Sequence, residues 1–244
     1  MRNIKLVVEY DGTNYCGWQK QNHNITVQGT LEKVISELTN EEIEVTGCSR
    51  TDSKVHAREY VCNFQTNSTI PGNRFKEALN IKLPCDIAIL ESSEVSSDFH
   101  ARYDCIGKRY SYTILERTAK ATIDRNFVYQ YKYNLDIEKM QEAAKYFIGT
   151  HDFSAFQKTG SSVKTSIRNI TELKVEKLGD YIKIYASADG FLYNMVRIVV
   201  GTLIDVGTNK IKPETIVDII DSKDRSKAGK TAPPQGLCLE KVYY

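Results

Sequence analysis

The chain has 244 residues, of which 41% are hydrophobic, 26% charged and only 5 proline, a balance that excludes disordered, collagen-like and low-complexity classes. That length gives one large domain or two small ones, with a core that needs no covalent staples. The 33 Lys and Arg stand against 31 Asp and Glu, so the formal charge of +2 excludes a uniformly basic coat but not a local basic groove.

In chain order, Ile4 to Tyr10 alternates like a strand and is closed by the turn Asp11-Gly12. Thr26 is a candidate N-cap for a helix whose apolar stripe is Val27, Leu31, Val34, Ile35 and Leu38. Glu42 to Thr46 and Tyr60 to Thr66 read as strands with a polar loop between them. Arg74 to Ile81 reads as a helix after Pro71-Gly72, and Ile87 to Val95 and Lys108 to Leu115 as strands. Asp136 caps a helix with the stripe Ile137, Met140, Ala144, Phe147 and Ile148. Ile170 to Lys177 and Tyr181 to Ala188 form a hairpin around Leu178-Gly179-Asp180. Phe191 to Val206 is apolar nearly all round and is expected to be a buried helix, and Leu237 to Tyr243 closes the chain as a strand. Residues 1–103 and 104–244 each mix antiparallel-looking strands with helices, which points to an α+β fold of two similar lobes sharing a sheet.

The six cysteines, Cys16, Cys48, Cys62, Cys85, Cys105 and Cys238, contain no C-x-x-C pair and no zinc-finger spacing with histidine. His23 and His151 have no ligand-spaced partners either. The N-terminus leads into a strand instead of a signal-peptide h-region, and the stretch 191–206 is interrupted by Asn194 and Arg197 and too short for a bilayer. The expectation is a soluble, reduced, cytoplasmic protein with no membrane partner.

Four segments carry residue types suited to chemistry. In the loop 47–56, Asp52 lies two residues from Arg50 on one side and Lys54 on the other. A carboxylate held by cations stays ionised and serves as nucleophile or base, although Asp is also an ordinary turn residue. Arg197 sits within an apolar helix pattern with no acid three or four residues away. It either pairs with a remote acid, for which Asp52 is a candidate, or snorkels to the helix edge. Phe99-His100-Ala101-Arg102, followed by Lys108-Arg109-Tyr110-Ser111-Tyr112, interleaves basic and aromatic residues as phosphates and bases require, or forms a solvated edge strand. The stretch 222–230 is a basic loop, suited to a polyanion or simply to water. Cys48 and His56 lack the orienting third group that a thiol enzyme needs.

Taken together, these segments resemble the tRNA pseudouridine synthase A family. The matching pieces are Tyr10-Asp11-Gly12-Thr13-Asn14-Tyr15 with Gly17-Trp18-Gln19, Arg50-Thr51-Asp52 with Val55-His56-Ala57, Phe99-His100-Ala101-Arg102, and Lys108 to Tyr112. His151-Asp152-Phe153-Ser154-Ala155-Phe156, Phe191-Leu192, Met195-Val196-Arg197, Gly201-Thr202-Leu203, Thr231-Ala232-Pro233 and Gly236-Leu237 complete the set. The resemblance implies two RRM-like lobes with joined, mainly antiparallel sheets and a central basic cleft. It also implies isomerisation of uridine in the anticodon arm of tRNA, a homodimer, and no metal, nucleotide or redox cofactor. By the same resemblance Asp52 is the catalytic aspartate, Arg197 its ion-pair partner and Tyr110 the ring that stacks on the target base. Arg50 helps hold the flipped nucleotide, and Arg102, Lys108, Arg109 and His56 complete the substrate-binding set. The chain departs from the family at Ser49, Ser53 and Lys54, where small residues, often Gly before Arg50 and Ala-Gly after Asp52, are usual. The alternatives are a tRNA-binding module without turnover, which would not need Asp52, and a small-molecule enzyme with Asp52 as general base. Neither the P-loop nor the Rossmann glycine fingerprint is present.

Overall fold

Alternation builds the first strand. β1 (Arg2–Tyr10) buries Ile4, Leu6, Val8 and Tyr10 on one face, each at most 2% exposed. The computed structural model describes residues 1–158, 160 and 165–244. They divide into two compact units, Met1–Ile106 with Cys238–Tyr244, and Gly107–Leu237.

In the first unit β1 lies antiparallel between β3 (His56–Thr66) and β4 (Ile87–Val95). On its other side β3 takes the short β2 (Val45–Gly47) antiparallel and β10 (Leu237–Tyr243) parallel, with Cys238 opposite His56. Helix α1 (Val27–Thr39) starts at the expected cap, where Gly29 N–H donates to Thr26 Oγ1 at 3.2 Å, and buries Val27, Leu31, Val34 and Ile35. Helix α2 (Phe75–Asn80) reaches the sheet through Phe75, whose ring meets Phe64 of β3 edge-on at 5.4 Å.

In the second unit β5 (Gly107–Glu116) pairs antiparallel with β9 (Tyr181–Ala188), which pairs with β8 (Ile167–Leu178), which pairs with β7 (Gly149–Asp152). The short β6 (Tyr129–Tyr131) runs parallel to β5. Leu178 pairs with Tyr181, so the expected hairpin has the two-residue loop Gly179-Asp180, with Gly179 at φ +58°. Helices α3 (Ile137–Lys145), α4 (Met195–Gly207) and α5 (Thr215–Ser222) complete the unit. The fold class is α+β with mainly antiparallel strands. Among the described residues no helix is long and apolar enough to cross a membrane.

Strands β3 and β8 begin at His56 and Ile167, ahead of the Tyr60 and Ile170 expected, and three further boundaries differ from the sequence reading for a local reason. The strand expected from Glu42 is confined to Val45–Gly47, because side chains take the amides at its entry: Ile43 N–H donates to Ser36 Oγ at 3.2 Å and Val45 N–H to Glu32 at 3.1 Å. The helix expected from Phe191 begins at Met195, after Asn194 adopts φ +62°. Helix α3 stops at Lys145, and Phe147 continues past it into a cluster with Phe156 at 5.1 Å, which in turn meets Phe153 at 6.1 Å. Helix α5 and the short β6 and β7 have no counterpart in the sequence reading.

Candidate active site

Residues 48–55 join β2 to β3, and a second loop clamps them. Trp18 N–H donates to the Thr51 carbonyl at 3.2 Å, Lys54 N–H to the Tyr15 carbonyl at 3.3 Å, and Ser53 Oγ to the same carbonyl at 3.2 Å. Gly17 makes this approach possible: its φ is +88°, and a Cβ there would run into the Thr51 carbonyl oxygen. Below the loop, the Trp18 and Tyr60 rings stack with centroids 3.9 Å apart. The Tyr60 hydroxyl donates to the Ser49 carbonyl, and the Tyr10 and Thr51 hydroxyls lie 2.9 Å apart. Burial pushes the Tyr60 hydroxyl well above its usual range, so it remains a donor. Asp52 is half-buried on this clamped backbone, and its carbonyl accepts from Val55 N–H at 3.2 Å. Arg50 and Lys54 are exposed. His56 is 4% exposed and its Nδ1 accepts from Gly12 N–H at 3.0 Å. That bond places the neutral ring's proton on Nε2, so the Asp11 oxygen 3.1 Å from the same Nδ1 makes an ion pair only with the protonated ring.

Arg102 belongs to a turn fixed on the first unit's sheet by two buried asparagines. Asn3 Nδ2 donates to the Ser96 and Phe99 carbonyls, both at 2.9 Å, and Asn63 Oδ1 accepts from Ala101 N–H at 2.9 Å. The pair is closed by Asn63 Nδ2 donating to Asn3 Oδ1 at 3.0 Å. Tyr244 adds a bond from its hydroxyl to the Ala101 carbonyl at 2.6 Å. Arg102 itself is exposed.

The remaining expected residues lie in the second unit. Tyr110, on β5, is 7% exposed, with its ring edge-on to Phe191 at 5.3 Å. Lys108 and Arg109 are half-buried on the same strand. Arg109 Nη2 donates to Glu172 at 3.1 Å and the guanidinium lies 4.7 Å over the Tyr185 ring, while its buried Nε has no hydrogen-bond partner among the described residues. Arg197 is half-buried in the first turns of α4. Its Nε donates to the Ala232 carbonyl at 2.7 Å and its Nη1 to Asn194 Oδ1 at 2.8 Å. Both acceptors are neutral carbonyl oxygens, so these bonds orient the guanidinium.

The strap 229–236 is therefore part of the same construction. Ala232 N–H returns a bond to the Arg197 carbonyl at 3.0 Å, and the Tyr112 hydroxyl donates to the Pro233 carbonyl at 2.7 Å. Gly201 lets the strap touch α4, because a Cβ there would run into the Lys230 carbonyl.

A family model described as tRNA pseudouridine synthase matches residues 6–104 and 143–244. The chain is also 60% identical over 244 residues to tRNA pseudouridine synthase A 2 of Clostridium perfringens, covering 100% of both chains. It is 57% identical to tRNA pseudouridine synthase A of Clostridium acetobutylicum and 54% identical to that of Acetivibrio thermocellus, again over 100% of each. The chain belongs to the tRNA pseudouridine synthase family. It is accordingly an isomerase. Among solved structures, a chain of a Cbf5-Nop10-Gar1 complex aligns over 97% of this chain and 48% of its own at 13% identity, with a TM-score of 0.38, too distant to add to that assignment.

Membership of the pseudouridine synthase family gives the clamped loop its context. The matched stretch includes Asp52, Arg50, His56, Arg102 and Arg197, while Lys108, Arg109 and Tyr110 fall in the unmatched stretch and are covered by the full-length relatives. The departure at Lys54 has a backbone meaning: Lys54 has φ +66° in the turn closed by Val55 N–H, a conformation that suits the glycine expected there from the resemblance. Sequence reasoning missed the Asn3–Asn63 pair, the Trp18–Tyr60 stack and the role of Asn194. Only Asn194 carried a local signal, as a residue tolerant of positive φ just ahead of a helix.

Proposed function

We propose that this enzyme converts uridine to pseudouridine in the anticodon arm of tRNA, with Asp52 as the catalytic carboxylate. The observation that carries the reading is the loop 48–55: Thr51, Ser53, Lys54 and Val55 are all backbone-anchored or bonded around Asp52, in a chain of this family. The reaction breaks the N1–C1′ glycosidic bond, forms a C5–C1′ bond, removes the C5 proton and places a proton on N1. Asp52 serves it by adding to the uracil ring, by adding to ribose C1′ or by assisting proton removal. Arg197, oriented by Asn194 and Ala232, supplies positive charge that keeps a carboxylate ionised in a water-poor site.

In this reading the target base leaves its stack at a cost of a few kcal/mol, and stacking on Tyr110 returns about 1–3 kcal/mol. Arg50 holds the flipped nucleotide, and Arg102, Lys108 and Arg109 face phosphates, the source of most of the affinity. The enzyme works as a homodimer in the cytoplasm, a setting in keeping with cysteines that are not joined in disulfides.

The test is direct. Purified protein is incubated with unmodified tRNA transcripts, without metal or nucleotide, and pseudouridine is mapped by chemical adduct and primer extension. New stops in the anticodon arm are expected. Salt-sensitive tRNA binding without stops in any of several tRNAs would replace the reading with a binding module.

A further inference from the structure

The Arg102 turn presents an aromatic residue that neither the family motif nor the proposed mechanism uses. Tyr103 is 75% exposed, yet it is held in place. Its ring lies 4.2 Å from that of His100 at an interplanar angle of 34°, and the Arg102 guanidinium carbon is 5.8 Å from its centroid. His100 is fixed in turn: its Nδ1 accepts from Arg102 N–H at 3.1 Å and Tyr103 N–H at 3.2 Å, and its own N–H donates to Asp104 at 2.9 Å. Asp104 N–H closes the turn on the His100 carbonyl at 3.1 Å. Beneath lie the Asn3–Asn63 pair and the Phe99–Tyr244 ring contact at 5.2 Å.

An exposed tyrosine on an ordinary loop samples many orientations, and ordering it costs conformational entropy on binding. Here the ring already packs against His100 before any ligand arrives. An aromatic ring with a guanidinium beside it matches the two surfaces of single-stranded RNA, the π-face of a base and the phosphate next to it. Position supports this partner. Asn3 and Asn63 alternate with Ile4 and Phe64, so they lie on the sheet face opposite the one that meets α2. Asn63 is seven residues along β3 from His56, roughly 20 Å at about 3.3 Å per residue. The turn therefore sits well along β3 from His56, where the Asp52 loop ends, and suits a different nucleotide from the one modified.

We propose that Tyr103, backed by His100 and flanked by Arg102, is a stacking site for an unpaired RNA base other than the modified uridine. The proposal rests on the RNA-modifying reading and names a further binding site for the same RNA.

The experiment compares Tyr103→Ala, Tyr103→Leu and Tyr103→Phe in full-length protein, measuring tRNA Kd, KM and kcat alongside melting temperature. Tyr103→Ala and Tyr103→Leu are expected to raise Kd and KM between about fivefold and a hundredfold, with kcat changing much less, while Tyr103→Phe stays within about twofold of wild type. Melting temperatures should stay together, because the ring is exposed. Arg102→Ala should in addition flatten the salt dependence of binding by about one phosphate contact, which the Tyr103 variants should not do. Wild-type Kd and KM in Tyr103→Ala, or a leucine as good as tyrosine, would overturn the stacking site while leaving the function intact. A wild-type protein that makes no pseudouridine would overturn the function, and the Kd series would still decide the site.

Discussion

A lysine at φ +66° holds a conformation that costs an L-residue about 1–2 kcal/mol, and Lys54 does so beside Asp52. Glycine there removes the strain and returns part of the gain as unfolded-state entropy. Lys54→Gly is therefore expected to stabilise the protein by about 0.5–1 kcal/mol, a rise of about 2 °C in thermal melting. A lower melting temperature would contradict the strain argument. Arg197 is the second residue-scale case. Bonds leave from different nitrogens of one planar fork, to Ala232 and to Asn194, and a lysine ammonium does not reproduce that geometry. Arg197→Lys keeps the charge but should lose about tenfold or more in kcat and about 1–2 kcal/mol in stability. Near-wild-type turnover would show that charge alone is what the site needs. At this scale the sequence was informative about chemistry-bearing types and silent about support. Asp52 between two cations and Arg197 in an apolar run drew notice, but residue types alone left ordinary turn and surface roles open until the family motifs were added. Asn3 and Asn63 bond across 60 residues of sequence, so no local pattern reveals them.

Elements were legible where a periodicity lasted and a cap was present. β1, β4, β5, β8, β9 and β10 run for seven or more residues, and Thr26 and Asp136 cap α1 and α3 as expected. β6 and β7 have three and four residues, too few for a period, and the eight-residue α5 follows an apolar helix with only a short break. One motif shared with the family proves to be an element-level fastener. Asp152 accepts from Ser154 N–H at 3.1 Å, Ser154 Oγ at 2.5 Å and Ser166 Oγ at 2.6 Å, with Lys223 at 3.0 Å. The serine bonds, first that of Ser154, hold its carboxyl well below the usual range against a smaller opposing effect of burial. A depressed folded-state pKa adds stability that is fully present above the unfolded value near about 3.9 and is lost as pH falls below it. Asp152→Asn should thus cost about 1–2 kcal/mol at pH 7, with the gap to wild type closing below about pH 4. A gap that is unchanged down to pH 3 would contradict this account of the turn.

At the scale of the whole molecule, a formal charge of +2 gives little general attraction for RNA, so affinity must come from local contacts. Binding of tRNA is expected to fall steeply with salt, with a logarithmic slope of magnitude above about 3. A flat dependence would remove the phosphate-facing roles of Arg102, Lys108 and Arg109. The α+β class was readable from the mixture of alternating and helical segments. The return of Cys238–Tyr244 to the first unit was not, since a parallel pairing with His56 leaves no mark in the strand's own sequence. The central claim is that Asp52 is the catalytic carboxylate, and the most direct measurement is the single-turnover rate of Asp52→Asn on unmodified tRNA, with Kd measured on the same samples. The amide keeps the size of the side chain and its place on the clamped loop but cannot act as a nucleophile or base. The expected result is a rate reduced by more than about a thousandfold with Kd within about threefold of wild type. A rate within about tenfold of wild type would contradict the assignment and move the chemistry to another residue.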